Sequence, residues 1–318
     1  MSDLIAVQVR HKHTEAQQVC SLELVPLDGQ ALPAFEAGAH IDVHINAQLC
    51  RQYSLCNAPH ERHRYQIAVL REPASRGGSA AVHEQIAVGD VLHISAPKNH
   101  FALHAAARHH VLIAGGIGVT PILAMAQQLA KAECSFEVHY CGRSADKMAF
   151  TDTLKALAQQ GAVHLYMDDA GQRLDPAQVL GTPAADTHMY VCGPQGFIEW
   201  VWASAQQYGW PASQMHREFF ALEKAQIAEG DAFELRLARS NLQVTVPRNQ
   251  TIIEVLAAHN VHIPTVCEAG ICGSCTTRVL EGIPDHRDEF LSDEEKAAND
   301  QFTPCCSRAC TPLLVIDI

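Results

Sequence analysis

Long apolar runs and a basic charge balance are both missing from this 318-residue chain. No stretch approaches the roughly 18 consecutive apolar residues of a membrane span, so we expect no membrane protein. The first residues, Met1 to Ile5, lack the basic and apolar regions of a secretion signal, which favours a cytoplasmic location. The formal net charge of −12 argues against nucleic acid as a partner, because phosphate binding requires a basic face.

The pattern of polar and apolar residues changes three times along the chain, which indicates several domains. Residues 1–104 consist of short alternating segments separated by turn residues, a pattern typical of a small antiparallel barrel or sandwich. Over 105–222, buried strand-like runs alternate with helical stretches, which predicts a parallel, doubly wound α/β sheet. The segment 223–231 has no strong periodicity and is predicted to be a linker before a third domain, 232–318.

Twelve cysteines are unevenly distributed, and six of them crowd the C-terminal domain. Disulfides are rare in the cytosol, which keeps thiols reduced. Cys267, Cys272 and Cys275 follow the spacing C-x4-C-x2-C, and Cys305 comes later. This is the spacing of plant-type [2Fe–2S] ferredoxins, in which four thiolates hold two irons. The sequence therefore predicts an iron–sulfur cluster.

The loop around these cysteines also suits a cluster. Gly270 and Gly273 allow the backbone to turn tightly and bring N–H groups close to the sulfurs. Structural zinc is the main alternative, but zinc sites favour paired C-x2-C units and this chain has one. The fourth ligand requires a choice. We choose Cys305 and interpret Cys306 and Cys310 as small buried apolar residues.

A glycine turn follows the first strand of the α/β region. Gly115, Gly116 and Gly118 lead into a predicted helix, where Thr120 could be the N-cap and Pro121 suits the first turn. A helix N-terminus beside glycines is a good pyrophosphate site. The pattern is not the full Rossmann fingerprint, because proline replaces its third glycine.

A second turn, Cys192-Gly193-Pro194, repeats the arrangement at the end of a later strand. Ligands of open α/β sheets bind at the carboxyl ends of strands, so both turns can line one nucleotide cleft. Cys192 alone is equally consistent with a buried residue at a strand end.

Two N-terminal motifs suit a flavin. Tyr53 can pack against an isoalloxazine ring, Ser54 can hydrogen-bond its polar edge, and Arg51 can pair with phosphate. The loop residues Arg76, Gly77, Gly78 and Ser79 precede a predicted helix and could cradle a terminal phosphate. Each motif alone is equally an ordinary strand or flexible loop. A flavin is nevertheless expected, since a nicotinamide gives two electrons as one hydride and a [2Fe–2S] cluster accepts one at a time.

Together these motifs resemble the phthalate dioxygenase reductase and vanillate demethylase reductase family, over essentially the whole chain. The carriers, in order, are Arg51-x-Tyr53-Ser54-Leu55-Cys56-Asn57, Arg71-Glu72, Ser75-Arg76-Gly77-Gly78-Ser79, Gly115-Gly116-Ile117-Gly118-Val119-Thr120-Pro121, Tyr140-x-Gly142-Arg143-Ser144, Tyr190-Val191-Cys192-Gly193-Pro194, His216-x-Glu218, the cysteine loop, Pro284-Asp285-His286-Arg287-Asp288 and Pro304-Cys305-x-Ser307-Arg308-Ala309. The resemblance implies an antiparallel β-barrel flavin domain, an α/β nucleotide-binding domain and an α+β, β-grasp ferredoxin domain.

The resemblance also implies cofactors and roles. It implies FMN rather than FAD, with Arg71 among the cofactor-binding residues. Cys192 and Glu218 would lie near the nicotinamide and the flavin. Of the aromatic residues after Glu218, Phe219 and Phe220, the family's E-x-F spacing favours Phe220 as the one that covers the flavin. With Ser54, the residues Cys192, Glu218 and Phe220 are thus the catalytic candidates.

The resemblance also implies which residues bind the nucleotide and which protein accepts the electrons. Arg143 and Ser144 would approach the adenosine ribose. No basic pair follows Arg143 to hold a 2′-phosphate and Asp146 is acidic, which favours NADH over NADPH. The partner implied is a separate Rieske-type oxygenase, and we expect a monomeric reductase. The alternative is a ferredoxin-type electron carrier whose first two domains are non-catalytic docking modules.

Acidic residues cluster late in the chain, between Asp285 and Glu295. A solvated helix surface is the usual explanation of such a cluster. A docking face for a basic partner is the alternative.

Overall fold

A computed structural model describes residues 4–46, 49–73, 77–220 and 230–318. It divides into two compact units, Met1–Glu218 and Phe219–Ile318. The predicted domain boundaries stay predictions. Most of the predicted linker, residues 223–229, lies outside the described residues, as does Arg76.

Seven antiparallel strands form the first sheet of the first unit. They are β1 (Ile5–Ala16), β2 (Val19–Pro26), β3 (Ala39–Asn46), β4 (Leu49–Ser54), β5 (Tyr65–Leu70), β6 (Val91–Ile94) and β7 (Lys98–Asn99). Their order is β4-β3-β6-β1-β2-β5, with β7 paired to β3. A bridge between Leu55, just after β4, and Ile67 in β5 joins the two ends of this order. The sheet therefore closes into the predicted antiparallel barrel.

The barrel core follows from the alternation seen in the sequence. On β1 the side chains of Val7 and Val9 are fully buried while the residues between and after them are exposed, as expected of a strand with one face inward. These residues join Leu22, Ile41 and Ile67 in one apolar cluster. The helix α1 (Gly78–Glu84) follows β5 and contributes the buried Val82.

Five parallel strands form the second sheet of this unit: β8 (His109–Gly115), β9 (Ser135–Gly142), β10 (Ala162–Met167), β11 (Thr187–Cys192) and β12 (Met215–Glu218). The helices between them are α2 (Val119–Lys131), α3 (Thr151–Ala156), α4 (Pro176–Val179) and α5 (Gln195–Gln207). The strand order is β10-β9-β8-β11-β12, so the order reverses between β8 and β11. The doubly wound prediction is confirmed, and this reversal is where such sheets bind ligands.

Helix α3 is limited to the six residues Thr151–Ala156. Phe150 has a φ of 59°, in the left-handed region, so a right-handed helix cannot begin before Thr151. After Ala156 the chain tightens into a 3-10 turn, Leu157–Gln159.

The second unit contains a mixed sheet. Its strands are β13 (Phe233–Leu237), β14 (Gln243–Val246), β15 (Thr277–Glu281), β17 (Gln301–Phe302) and β19 (Leu313–Ile316), while β16 (Pro284–Asp285) and β18 (Arg308–Ala309) form a separate pair. The order is β14-β13-β19-β15-β17, with β13 and β19 parallel. The helices are α6 (Ile252–Ala258) and α7 (Asp293–Ala298). This topology is the β-grasp arrangement expected for the ferredoxin domain.

Both helices of this unit begin at capping boxes. The Thr251 hydroxyl accepts from the N–H of Glu254, whose carboxylate accepts from the N–H of Thr251. Ser292 and Glu295 make the same reciprocal bonds at α7. These bonds satisfy N–H groups that a helix leaves without partners in its first turn. Across the part of the chain that the structure describes, every helix is too short or too polar to traverse a bilayer.

Candidate cofactor sites

The two glycine turns predicted to bind a nucleotide lie against each other. A Cβ added to Gly118 would come within 2.3 Å of the Cys192 carbonyl oxygen. A Cβ on Gly193 would lie 3.0 Å from the Cα of Gly115. Backbones can approach this closely only where no side chain stands between them. The structure therefore brings both turns together at the carboxyl ends of β8 and β11, as predicted.

The start of α2 differs in one detail from the prediction. Gly118 occupies the N-cap position, and Thr120 lies inside the first turn, where its hydroxyl donates to the Ile117 carbonyl at 3.1 Å. The proposed N-cap role of Thr120 is thus wrong. A 3-10 turn begins at Gly116, so the chain is already helical before it reaches Thr120. Pro121 does lie in the first helical turn.

Cys192 and Glu218 are neighbours at the carboxyl ends of β11 and β12, where they are paired residues. Cys192 is fully buried, and burial together with the nearby Glu218 raises the pKa of its thiol well above the ordinary value. Cys192 is thereby kept as a neutral thiol at pH 7.

Glu218 connects this sheet with the barrel of the same unit. The Ser54 side chain at the end of β4 hydrogen-bonds its carboxyl group. Glu218 as a residue is half-buried, but its Oε2 is shielded from solvent and has no hydrogen-bond partner within the described ranges. Burial raises the pKa of Glu218 to about 8. The carboxyl group therefore holds a proton at neutral pH and leaves one oxygen available.

The flavin motif and the glycine loop also meet. A Cβ on Gly78 would lie 2.7 Å from Cγ of Arg51, so the Arg51 side chain packs directly on this glycine. Gly77 has a φ of 90° and open space around it. The Ser79 hydroxyl accepts from the N–H of Glu72 at 3.1 Å. Two of the loop residues, Gly78 and Ser79, already belong to the helix, which begins at Gly78 because Gly77 supplies the left-handed turn that precedes it.

Tyr53 and Arg71 flank this region. Tyr53 is partly buried against the barrel core, and burial raises the pKa of its hydroxyl. Arg71 forms an ion pair with Glu84 of α1. The Tyr53 phenol is therefore neutral at pH 7. The ion pair of Arg71 connects the end of β5 to helix α1.

The predicted ribose-contacting residues follow β9. The Ser144 hydroxyl donates to the Asp146 carboxylate, and the exposed Arg143 accepts from the N–H of Asp169 at 3.0 Å through its carbonyl. These residues lie at the same edge of the parallel sheet as the glycine turns, since all five strands point one way. Phe220 belongs to the second unit, and its predicted role stays a prediction.

Backbone N–H groups surround the sulfurs of the cysteine loop. Ala269 donates to Sγ of Cys267 at 3.3 Å, and Ser274 donates to Sγ of Cys272 at 3.5 Å. The N–H of Gly270 also bonds Cys305. Gly270 and Gly273 have φ values of 73° and 66°, which this tight path requires. Donors directed at the sulfurs are what an iron–sulfur cluster needs to tune its potential.

The four predicted ligands form two contacting pairs. Cys267 hydrogen-bonds Cys272, and Cys275 hydrogen-bonds Cys305. The bond from Cys267, with others from Ser274, lowers the pKa of Cys272 to about 5. Three thiols of one loop, with Cys305 from the turn after β17 in contact with Cys275 and N–H donors around the sulfurs, fit a cluster whose ligands are thiolates.

The surroundings of the other two cysteines favour Cys305 as the fourth ligand. Cys306 is buried, contacts Cys305, and places its sulfur 3.2 Å from the Thr303 hydroxyl and 3.8 Å from that of Ser307. Cys310 is exposed, with its sulfur 3.7 Å from the Pro284 carbonyl. The expectation of burial is therefore confirmed for Cys306 and wrong for Cys310, which follows β18 in a surface turn.

Arg308 is a supporting residue for which the sequence assigned no role. It is 2% exposed and donates to three backbone carbonyls, those of Asp231, Pro247 and Gln250. Its guanidinium also lies 5.3 Å from the centre of the Phe233 ring. A fully charged side chain can be buried here because backbone oxygens surround it. It fixes the segment after Cys305, the predicted fourth ligand, to the start of the second unit.

Comparison with known proteins agrees with this geometry. Residues 95–215 match the model of the dimethylamine monooxygenase subunit DmmA-like N-terminal domain, and residues 235–310 match that of the 2Fe-2S iron-sulfur cluster binding domain. The vanillate O-demethylase oxidoreductase of Pseudomonas putida is 49% identical over 99% of this chain and 100% of its own length. The chain belongs to this family. It is an oxidoreductase with a flavin domain, a pyridine-nucleotide domain and a [2Fe–2S] domain.

Solved structures support the family assignment over the full length. Phthalate dioxygenase reductase, described as a modular structure for electron transfer from pyridine nucleotides to [2Fe–2S], is 37% identical with a TM-score of 0.78, covering 99% of this chain and 98% of that one. An intact type IV self-sufficient cytochrome P450 monooxygenase is 38% identical with a TM-score of 0.80, and this chain spans 41% of its length. The predicted family, fold class and oxidoreductase class are confirmed. Relatives of this family are reductase subunits of oxygenase systems.

Proposed function

We propose that this protein is the NADH-dependent reductase of a Rieske-type oxygenase or demethylase system, with electrons passing from NADH through FMN and [2Fe–2S] to a separate oxygenase. The observation that carries the proposal is the meeting of Ser54, Glu218 and Cys192. A barrel strand and two strands of the parallel sheet place these side chains together in one unit. A flavin on the barrel and a nicotinamide in the cleft would both reach this point.

The flavin supplies the conversion of one hydride into two single electrons when it is bound. Ser54 would hydrogen-bond the polar edge of its ring, and Tyr53 would pack against its face. The protonated Glu218 would offer a donor from its buried carboxyl group. The neutral, buried Cys192 would exclude water from the place where the nicotinamide lies. Phe220 would cover the flavin.

FMN is proposed because its phosphate fits the loop before α1. Arg51 packs on Gly78, which brings a guanidinium to this loop. Nothing lies within 4 Å of the position that a Cβ on Gly77 would occupy, and the hydroxyl of Ser79 accepts a hydrogen bond from the Glu72 backbone. Arg76 and Arg71 would complete the phosphate site.

NADH is proposed over NADPH from the charge near Arg143 and Ser144. Ser144 donates to the Asp146 carboxylate. A carboxylate at the ribose site accepts from a 2′-hydroxyl and repels a 2′-phosphate. The glycine turns with Thr120, Pro121 and Pro194 would hold the rest of the nucleotide.

The partner is proposed from the relatives. The vanillate O-demethylase oxidoreductase favours an oxygenase that acts on an aromatic or other small organic substrate. A monomeric state and a cytoplasmic location stay predictions from the sequence.

Two measurements test this proposal: identification of the extracted flavin, and the rate of cytochrome c reduction with NADH compared with the rate with NADPH. The purified protein should release FMN, contain two irons and two sulfides per cluster site, and reduce cytochrome c faster with NADH than with NADPH. When its Rieske oxygenase and that enzyme's substrate are added, NADH oxidation should be accompanied by formation of the oxygenase product. A protein that holds iron and sulfide but binds no flavin would instead support the alternative, a ferredoxin-type carrier with non-catalytic docking domains.

A further inference from the structure

A cluster of histidine and glutamate side chains lies on one face of the parallel sheet. Glu137 and His139 are alternate residues of β9, so they share a face. His164 of β10 is the direct partner of His139 in the sheet register. The rings of His139 and His164 are stacked, with centroids 4.9 Å apart. Ligand atoms of Glu137, His139 and His164 all lie within 4.8 Å of one another.

The buried member of this cluster is His139, with a side chain 4% exposed. Its Nδ1 hydrogen-bonds the Tyr166 hydroxyl at 2.9 Å. Its buried Nε2 points toward Oε2 of Glu137, 3.4 Å away, without a well-formed hydrogen bond to any described residue. The hydrogen bond between Nδ1 and Tyr166 fixes the ring and leaves Nε2 to act as a ligand.

Glu137 is available as an anionic ligand. Its side chain is partly exposed, and its Oε2 lies 3.4 Å from Nε2 of His139. Nε2 of His109 lies 3.6 Å from its other oxygen, Oε1. One carboxylate therefore stands between imidazoles from β8 and β9.

We propose that Glu137, His139 and His164 form a binding site for one divalent zinc-like ion that bridges β9 and β10. Two imidazoles and a carboxylate are a donor set that suits zinc, with water as the fourth ligand. Ligand atoms of a tetrahedral zinc site lie about 3.3 Å apart. His164 is exposed and its ring stacks on that of His139, so rotation of its side chain is the movement that would bring its ring nitrogen to ligand distance.

This site lies within the strands, whereas the two glycine turns lie after the strand ends. The turns follow the carboxyl ends of β8 and β11, whereas Glu137 and His139 lie within β9 beside its pairing with β10. β10 is an edge strand of the sheet. An ion shared between β9 and β10 would fasten this edge without entering the path of the electrons.

The test is equilibrium dialysis of the oxidised holoenzyme against zinc chloride, with bound zinc and iron both measured. All variants carry Cys310→Ser, which removes the exposed thiol as a competing ligand. The parent should bind one zinc that His164→Ala and Glu137→Gln both lose, while iron content is unchanged. Tyr166→Phe should weaken zinc binding about 10–100-fold, since it removes the bond to Nδ1. His259→Ala, an exposed histidine of the second unit, should match the parent.

The thermal midpoint supplies a second readout. Zinc should raise the midpoint of the parent and leave that of His164→Ala unchanged, because a ligand stabilises only a fold that binds it. Because His164 is exposed, its replacement should not prevent folding. Equal zinc binding by the parent, His164→Ala and Glu137→Gln would overturn the proposal, as would zinc uptake matched by loss of iron.

Discussion

Cys305 and Cys306 are adjacent, and their surroundings give them different chemistry. Cys305 contacts Cys275 and receives the N–H of Gly270, whereas the sulfur of Cys306 also contacts the hydroxyls of Thr303 and Ser307. The Cys305 thiol therefore contacts another predicted ligand, Cys275, while two hydroxyl groups lie beside the thiol of Cys306. Neighbouring residues of a turn can differ this way because their side chains leave the backbone in different directions.

Replacing Cys305 should separate the two electron-transfer activities. Cys305→Ala should retain NADH-dependent ferricyanide reduction at the flavin and lose nearly all cytochrome c reduction, because the cluster lacks a ligand. Steady-state rates with both acceptors, together with iron analysis, measure this. Cys306→Ala is the matched control and should keep both activities. If Cys305→Ala still reduces cytochrome c at the parent rate, the ligand assignment is wrong.

Glu218 should make stability depend on pH. Burial raises its pKa to about 8 in the folded chain, above the ordinary value of 4.5. The folded state therefore holds an additional proton, and the stability that this proton contributes is complete below about pH 4.5 and lost as pH rises through about 8. Glu218→Gln does not titrate at this position.

Thermal midpoints of the wild type and of Glu218→Gln at several pH values test this expectation. The midpoint of the wild type should fall relative to that of Glu218→Gln as pH rises from about 6 to about 9. Circular dichroism at each pH measures the two midpoints. A constant difference across this range would show that the carboxyl group titrates normally. Glu199→Gln, an exposed residue of α5, is the control and should run parallel to the wild type.

At the scale of elements, the site depends on how closely β8, β11 and α2 approach. The turn after β8 and the turn after β11 touch through backbone atoms at Gly115, Gly118 and Gly193. Adjacent parallel strands bring their carboxyl ends together, and the glycines let the following turns pack without side chains between them. The close approach of the two turns, which we propose as the nucleotide cleft, is thus a consequence of strand order combined with three glycines.

Gly118→Ala should disturb this contact. The added methyl group would lie 2.3 Å from the Cys192 carbonyl oxygen, a backbone atom that cannot move without shifting β11. We expect the KM for NADH to rise at least about tenfold and stability to fall by about 1–3 kcal/mol, as for overpacked sites. Gly196→Ala is the matched control, since nothing lies within 4 Å of its Cβ position and it lies inside α5. Unchanged kinetics in Gly118→Ala would mean that the turns do not hold the nucleotide.

At the scale of the whole molecule, the two units have separate apolar cores. The barrel core contains Leu22 and Ile67, and the core of the second unit contains Phe233, Leu256 and Leu314. Domains with their own cores can fold on their own. Arg308 also contacts only backbone carbonyls of its own unit in the bonds that the structure records.

Separately produced segments should therefore keep separate properties. Residues 1–220 should bind flavin and reduce ferricyanide with NADH, and residues 230–318 should bind a [2Fe–2S] cluster. Absorption spectra and iron analysis of each segment check this. An equimolar mixture should reduce cytochrome c far more slowly than the intact chain, because the effective concentration supplied by the connection is lost. A mixture as fast as the intact chain would contradict this expectation.

The late acidic residues divide into structural and surface groups. Asp288 is buried and accepts the N–H groups of Phe290 and Leu291, while Asp285 pairs with Arg287. Asp293, Glu294 and Glu295 lie in the first turn of α7, where negative charge is favourable. Helix formation and turn geometry thus account for much of this cluster, and a docking role stays open only for its exposed part.

Local patterns were enough to predict the cysteine loop, the two glycine turns and the order of the fold classes along the chain, because each depends on spacing between residues a few positions apart. Cys267, Cys272 and Cys275 and the run from Gly115 to Pro121 are such patterns. Contacts between side chains of distant segments could be read only from the folded chain. Ser54 and Glu218 are far apart in the chain, and no local pattern reports a contact made by two different sheets. The environment of Cys306, the burial of Arg308 and the pairing of His139 with His164 depend in the same way on strand register and packing.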